Sequence, residues 1–315
     1  KGWSNIFGGT GKPVIGAVFS HYKVDAVAVK DNFIDLNYMT YMFQFESIHG
    51  KLKGTVKAKS SNAKPPTSSR TDPTNIKWGD AADEYAVESK AEGCALLEAG
   101  AKKISISTHS TNALKFGIGV NHEKYENFLK TVRNASCRTS CLASLARVIH
   151  DNVGIVEGLV TIVYAITATK KTLPGPAGKL WHDRGFPEHY SCFYTDATKV
   201  VGMVIPELNR EHTGMAFHVP THKVSVVDLS CCLKYYNIKK PVKQALEDPL
   251  KGILGFTEDQ IVTCNIKNDT QSSTFDPGTG VVLNDHLVKF IFKYGNEFGY
   301  SNMLVNYMSY IALKE

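Results

Sequence analysis

The sequence predicts two domains, the first an α/β unit of alternating strands and helices and the second an α+β unit with an antiparallel sheet. Three observations lead there. The chain has 315 residues, 43% of them apolar and 10% aromatic, enough for two domains of about 150 residues with cores of their own. Near its start a glycine-rich turn runs into a helix and then a strand. Beyond residue 150 long runs of β-branched residues replace that alternation.

The first domain is read from Gly8-Gly9-Thr10-Gly11-Lys12, followed by Pro13 and the apolar segment Val14 to Phe19. That order suits a helix with proline in its first turn. Val24 to Val29 reads as a buried strand, and Asp31 follows Gly11 by 20 positions. Glycines let backbone approach a pyrophosphate, a helix start offers N–H donors, and the acid accepts hydrogen bonds from a ribose. These are the parts of a Rossmann-type dinucleotide-binding domain, placed at residues 1–134. Lys1 to Ser4 lacks the apolar strand with which such a unit normally begins. Leu52 to Ala58, Tyr85 to Ser89 and Lys103 to Ser107 suit strands, and Glu92 to Ala99 a helix. Lys59 to Thr74, rich in Ser, Thr, Pro and Lys, reads as a surface loop.

The chemistry is expected at Asn134 to Asp151, a polar turn entering a helix that begins near Ser140. Leu142, Leu145, Val148 and Ile149 recur at helical spacing and mark its apolar stripe. Cys137 falls in the turn before it, where unpaired N–H groups and the helix dipole favour a thiolate. A sulfur prepared in this way is a nucleophile. After the helix, Leu159 to Thr167, Val224 to Leu229 and Val281 to Asn284 read as strands, Pro241 to Leu250 as a helix packed on them, and Ser301 to Leu313 as a last helix.

The segment Asn134 to Asp151 resembles the nucleophile segment of the phosphorylating glyceraldehyde-3-phosphate dehydrogenases. Ordered matches to that family run along the chain: Phe33-Ile-Asp-Leu-Asn-Tyr-Met, Gly119-Val-Asn-His-Glu-Lys-Tyr, Gly154-Ile-Val-Glu-Gly, Ala165-Ile-Thr-Ala-Thr, Val224-Ser-Val-Val-Asp-Leu and Asn296-Glu-Phe-Gly-Tyr-Ser-Asn. The resemblance implies an NAD-binding domain at 1–134, completed by the C-terminal helix 301–315, and a catalytic domain at 135–300. It implies NAD as cofactor, with Gly8, Gly11 and Asp31 on the dinucleotide, Asn296 on the nicotinamide amide and Tyr300 near the ring. It implies glyceraldehyde 3-phosphate and inorganic phosphate as substrates, oxidised and joined through a thioester on Cys137. Thr167 and Thr169 match the clamp on the substrate phosphate, while Ser136 and Thr195 match a second anion site. The loop punctuated by Gly175, Pro176 and Gly178 matches one that crosses a subunit interface, so a homotetramer is implied.

Several polar positions depart from the family pattern. Ile6 stands at the first glycine of the turn, Asp196 at a glycine, Arg138 at a threonine and His218 at an arginine. Tyr164 replaces a histidine that keeps the sulfur ionised and exchanges the proton during hydride transfer. A phenol with a reference pKa near 10 donates a hydrogen bond but forms no thiolate–imidazolium pair at neutral pH. These departures motivate a second reading, a non-catalytic interaction protein on the same scaffold that binds protein or nucleic acid.

Bulk properties exclude other classes. The formal charge of +6 comes from scattered lysines rather than a clustered nucleic-acid patch. No apolar run approaches the roughly 20 residues that span a bilayer, and the N-terminus is no secretory signal, so a cytosolic chain is expected. Seven cysteines, an odd number without a CxxC pair, describe neither a disulfide framework nor a zinc site, and no metal is expected.

Overall fold

The computed structural model describes residues 2–5, 11–20, 26–30, 35–45, 85–88, 97, 101–107, 113–166, 191–194, 202, 205–209, 212–234, 243–244, 250–284 and 286–314. The chain divides into two compact units. One comprises Lys1–Phe116, Glu123–Ser136 and Ser301–Glu315, the other Gly117–His122 and Cys137–Tyr300.

The first unit opens with β1 (Gly2–Asn5), α1 (Gly11–Ser20), β2 (Ala26–Lys30) and α2 (Leu36–Gln44), and continues with β3 (Tyr85–Glu88), β4 (Lys103–Ile106), β5 (Leu114–Phe116) and β6 (Thr131–Asn134). All six strands are parallel, in the order β2-β1-β3-β4-β6-β5. The segment read as lacking a strand is a correction: Gly2–Asn5 forms β1, paired with β2 on one side and β3 on the other. Two flanking strands supply its backbone bonds, so it needs no apolar alternation of its own. The strand order reverses at β1, with β2 and β3 on opposite sides, and in such sheets ligands bind beyond the carboxyl ends of the strands at that point. Helix α1 starts at Gly11, a buried residue, and buries Val14, Ile15, Ala17 and Val18. Helix α2 is capped by Asp35, whose carboxylate accepts from the backbone N–H groups of Asn37 and Tyr38 at 2.9 and 3.0 Å, a standard helix-starting bond.

The second unit starts with α3 (Cys137–Val153) and holds β7 (Ile155–Ile166), β8 (Ser191–Tyr194), β9 (His212–His222), β10 (Val224–Leu233), β11 (Leu254–Phe256), β12 (Ser273–Phe275), β13 (Val281–Val282) and β14 (Leu287–Gly295). Seven strands run in the order β11-β12-β14-β10-β7-β9-β8, with β13 added against β14. The sheet is mixed rather than purely antiparallel, because β7 pairs β9 and β11 pairs β12 in parallel. Burial alternates along β10, with Val227, Leu229, Cys231 and Leu233 facing the core, as a one-sided sheet requires. Helix α3 covers that face through Leu142, Leu145 and Ile149, each at most 1% exposed, worth about 1.5–3 kcal/mol apiece. On the sheet's other side Lys293 is buried but paired, donating to Asp276 at 2.7 Å and to the Ile261 carbonyl at 2.8 Å.

The last helix, α4 (Phe298–Lys314), returns to the first unit. Its Tyr307 is fully buried, stacked on Phe116 at 5.9 Å between ring centroids and edge-on to Tyr125 at 6.4 Å. Asn127 closes the end by donating to the Lys314 carbonyl at 2.8 Å. Replacing Tyr307 with alanine removes the centre of this aromatic cluster and is expected to destabilise the first unit by about 3–5 kcal/mol, read as a lower denaturation midpoint. The sequence-predicted strand 52–58, helix 92–99, helix 241–250 and loop 59–74 fall wholly or largely outside the described residues.

Candidate active site

Cys137 is the first residue of α3, so the helix begins three residues earlier than its apolar stripe suggests. Ser136, half-buried, immediately precedes it. The stripe reports only where the helix meets the core, whereas the polar first turn is set by backbone geometry. Cys137 is half-buried and packs against the rim of the second unit's core. One turn on, Cys141 is fully buried, and burial pushes its thiol up to about 12.

The expected ionisation of Cys137 is corrected by the structure. Loss of water around the sulfur raises its pKa above the ordinary thiol value, and the Glu297 carboxylate adds to that. The Arg138 charge and the backbone N–H groups of residues 137 and 138 pull the other way without prevailing. The helix start therefore acts with the anticipated sign, but desolvation is the larger effect.

Tyr164 lies on β7, 7% exposed, in the same core cluster as α3. Arg138 Nη1 donates to its phenolic oxygen at 2.6 Å, and the guanidinium carbon sits 5.1 Å from the ring centroid. Burial alone would lower the Arg138 pKa, but Tyr164, Cys137 and Tyr294 together outweigh it and the value rises, so the guanidinium stays charged. His218 is paired with Tyr164 across the β7–β9 ladder, its ring 5.2 Å away. Tyr294, from β14, completes the floor, and burial holds it as a neutral phenol, its pKa well above the ordinary value.

The turn after β14 carries Asn296 and Glu297. Asn296 Oδ1 is buried with no hydrogen-bond partner among the described residues, an unpaired acceptor of the kind a carboxamide N–H such as that of nicotinamide would satisfy. Tyr300, one turn into α4, is buried. Gly299 is required there by a close approach, because a Cβ would meet the Gln271 carbonyl oxygen at 2.4 Å. Glu297 forms a short ion pair with Lys223. Lys223 occupies the bend between β9 and β10, which flank β7, at φ 68°. It is the only non-glycine residue with positive φ among the described residues, a conformation disfavoured for lysine. Sequence reasoning missed Lys223 and Glu297, since nothing in a lysine between two strands signals a left-handed bend.

The second unit thus brings together Cys137, Arg138, Tyr164 and His218, with Asn296 and Tyr300 on the adjoining segment. Gly11 sits at the start of α1 in the first unit, where a helix N-terminus at the sheet's reversal point suits a pyrophosphate. Gly8, Asp31, Thr167, Thr169 and Thr195, like Ile6 and Asp196, lie outside the described residues. Among the described residues no three His, Cys, Asp or Glu side chains cluster as metal ligands, and no helix is long and apolar enough to cross a membrane.

Residues 4–94 match the NAD binding domain of glyceraldehyde 3-phosphate dehydrogenase, and residues 136–296 match its C-terminal domain. The chain is 52% identical to glyceraldehyde-3-phosphate dehydrogenase of Danio rerio, in an alignment covering 99% of this chain and 98% of that one. It is 54% identical to the muscle protein of that name from Jaculus orientalis, over 99% and 98% of the two chains. Glyceraldehyde-3-phosphate dehydrogenase 2 of Caenorhabditis elegans is 48% identical, over 98% and 97%. With both domains matched and about half of all residues shared along nearly its whole length, the chain belongs to the glyceraldehyde-3-phosphate dehydrogenase family.

Proposed function

We propose that the chain catalyses NAD-dependent oxidative phosphorylation of glyceraldehyde 3-phosphate, with Cys137 as the nucleophile. The observation that carries this reading is the half-exposed Cys137 at the first turn of α3, beside a fixed cation, in a chain of this family. The Cys137 sulfur adds to the aldehyde carbon and the thiol proton passes to the carbonyl oxygen. Bound NAD would supply the acceptor for the hydride on that carbon. The hydroxyl proton then leaves and a thioester remains on Cys137. A phosphate oxygen attacks the thioester carbon, an acyl phosphate departs and the sulfur is released.

This chain's residues take positions around those steps. Thr167 and Thr169 hold the substrate phosphate, with His218 near it, and Ser136, Thr195 and the Arg138 guanidinium position the incoming phosphate. Gly8, Gly11 and Asp31 hold the dinucleotide, while Asn296 accepts from the nicotinamide amide and Tyr300 limits the ring's freedom. The experiment is a steady-state assay of NADH formation. The reading requires that the rate depend on glyceraldehyde 3-phosphate, NAD and inorganic phosphate together. The phenol at 164 favours the second reading, a non-catalytic binding protein on this scaffold, and that reading requires no NADH at any substrate concentration.

A homotetramer is proposed on the apolar outer face of the second sheet, where Leu159 and Met215, on neighbouring strands, are 43% and 39% exposed. Exposed apolar side chains in a row are what a subunit interface covers. Sedimentation is expected to give about four times the 34.7 kDa chain mass, and the Leu159→Asp, Met215→Asp double variant is expected to dissociate. A single-chain mass for the wild type would remove the tetramer. A cytosolic setting is proposed as well, supported by the free thiols at Cys137, Cys141, Cys231, Cys232 and Cys264, which suit a reducing compartment.

A further inference from the structure

Two of the departures from the family pattern touch each other. Arg138 follows the nucleophile in the first turn of α3, and its side chain is bonded at 2.6 Å to Tyr164, the residue at the histidine position. A cation in the first turn of a helix is opposed by the helix dipole. Its position is stabilised instead by the Tyr164 hydrogen bond and by the ring face 5.1 Å from the guanidinium carbon, a cation–π arrangement. Tyr164 is itself fixed: it is 7% exposed on a central strand of the sheet and is backed by the His218 ring at 5.2 Å. A guanidinium stays charged throughout the working pH range and is planar, so one bond and one stacked face define its orientation.

Among the groups facing the sulfur in the described residues, Arg138 is the cation whose charge favours its ionised form. From α3 there is Cys141, buried and neutral; from β14, Tyr294, a neutral phenol; from β7, Tyr164. From β9 His218 packs its ring 5.2 Å from that of Tyr164. The Glu297 carboxylate opposes ionisation, but it is engaged by Lys223. We propose that Arg138, pinned by Tyr164, is the cation that keeps the Cys137 sulfur reactive, so that Tyr164 is a positioning residue acting through Arg138. The inference rests on the reading of Cys137 as nucleophile. It divides the lost histidine's two tasks, leaving charge with Arg138 and supplying no proton carrier.

The test is the rate of Cys137 alkylation by iodoacetamide as a function of pH, followed by the mass of the Cys137 peptide in the full-length protein. Arg138→Gln is expected to slow alkylation near neutral pH by on the order of tenfold and to move the profile to higher pH, because a positive charge that favours the thiolate is removed. Arg138→Lys is expected to recover most of the rate. Tyr164→Phe, which keeps the charge and frees its holder, is expected to fall between wild type and Arg138→Gln. Superimposable profiles for wild type and Arg138→Gln would overturn the inference, as would a lysine variant no faster than the glutamine one. If Arg138→Gln does not fold, the wild-type and Tyr164→Phe profiles decide, and their coincidence overturns it. NADH formation is measured on the same samples. Shifted alkylation profiles in a protein that makes no NADH sustain the inference while removing the dehydrogenase reading.

Discussion

Cys137→Ala is expected to abolish NADH formation, with a loss of about 10⁴- to 10⁶-fold, the range seen when an enzyme's covalent nucleophile is deleted. No neighbouring group replaces it. Cys141 lies on the same helix one turn away but is fully buried, with its thiol pushed up to about 12. Ser136 precedes Cys137 and carries a hydroxyl, a weaker nucleophile than a thiol at neutral pH. The environment of Cys137 also sets the pH dependence. Its pKa is raised, chiefly by desolvation, so its thiolate fraction is small at neutral pH and grows as pH rises. The initial rate and the alkylation rate of Cys137 are therefore expected to keep increasing past the ordinary thiol range and to fall toward acid pH. A variant that retains most of the wild-type rate, measured against active protein concentration, would contradict the assignment of the nucleophile.

Tyr164→His is expected to raise kcat by about a hundredfold or more, since positioned acid–base groups contribute on the order of 10²- to 10⁴-fold. The phenol now at 164 holds Arg138 in place but cannot exchange a proton near neutrality, given a reference pKa near 10. When the hydride leaves the thiohemiacetal carbon, the hydroxyl proton must go elsewhere, and a phenol at 164 offers it no base near neutral pH. An imidazole at 164 restores both an acceptor for that proton and a second cation for the sulfur. The variant's kcat is also expected to acquire a titration in the histidine range that the wild type lacks. An unchanged rate, with NAD binding intact, would mean that the remaining site is not assembled for catalysis and would favour a binding role.

What could be read from the sequence follows the physics of each element. The stripe Leu142, Leu145, Val148 and Ile149 is buried as its spacing requires, because helical periodicity and core contact express the same geometry. Strand β10 was visible through its β-branched residues and alternating burial, and β3 and β4 through short stretches of strand-forming residues. Strand β1 was not, since a strand bonded on both edges is formed by its partners rather than by its own four residues, Gly-Trp-Ser-Asn. The parallel pairing of β7 with β9 depends on β7 lying between β9 and β10, and that of β11 with β12 on the connection between them, neither of which a local pattern carries.

The site divides in the same way. Cys137 and Asn296 were singled out because whole segments around them match a family, and Asn296 Oδ1 is buried without a hydrogen-bond partner among the described residues. The charge balance at the sulfur was misjudged, because the sign of a helix dipole is legible in a sequence and the amount of water removed is not. The Arg138–Tyr164 bond joins residues 26 positions apart, and only the packing of α3 on β7 reveals that two departures from the family pattern form one unit. The Lys223–Glu297 pair spans 74 positions and left no local trace at all.

The central claim is that a covalent bond forms between the substrate and the Cys137 sulfur and is broken by phosphate. It is tested most directly by mixing the protein with glyceraldehyde 3-phosphate and NAD without inorganic phosphate, quenching in acid and measuring peptide masses. The expected result is a phosphoglyceroyl adduct on the peptide carrying Cys137, absent from Cys137→Ala and discharged when inorganic phosphate is added before the quench. An unmodified Cys137 peptide in protein that has bound NAD would contradict the claim.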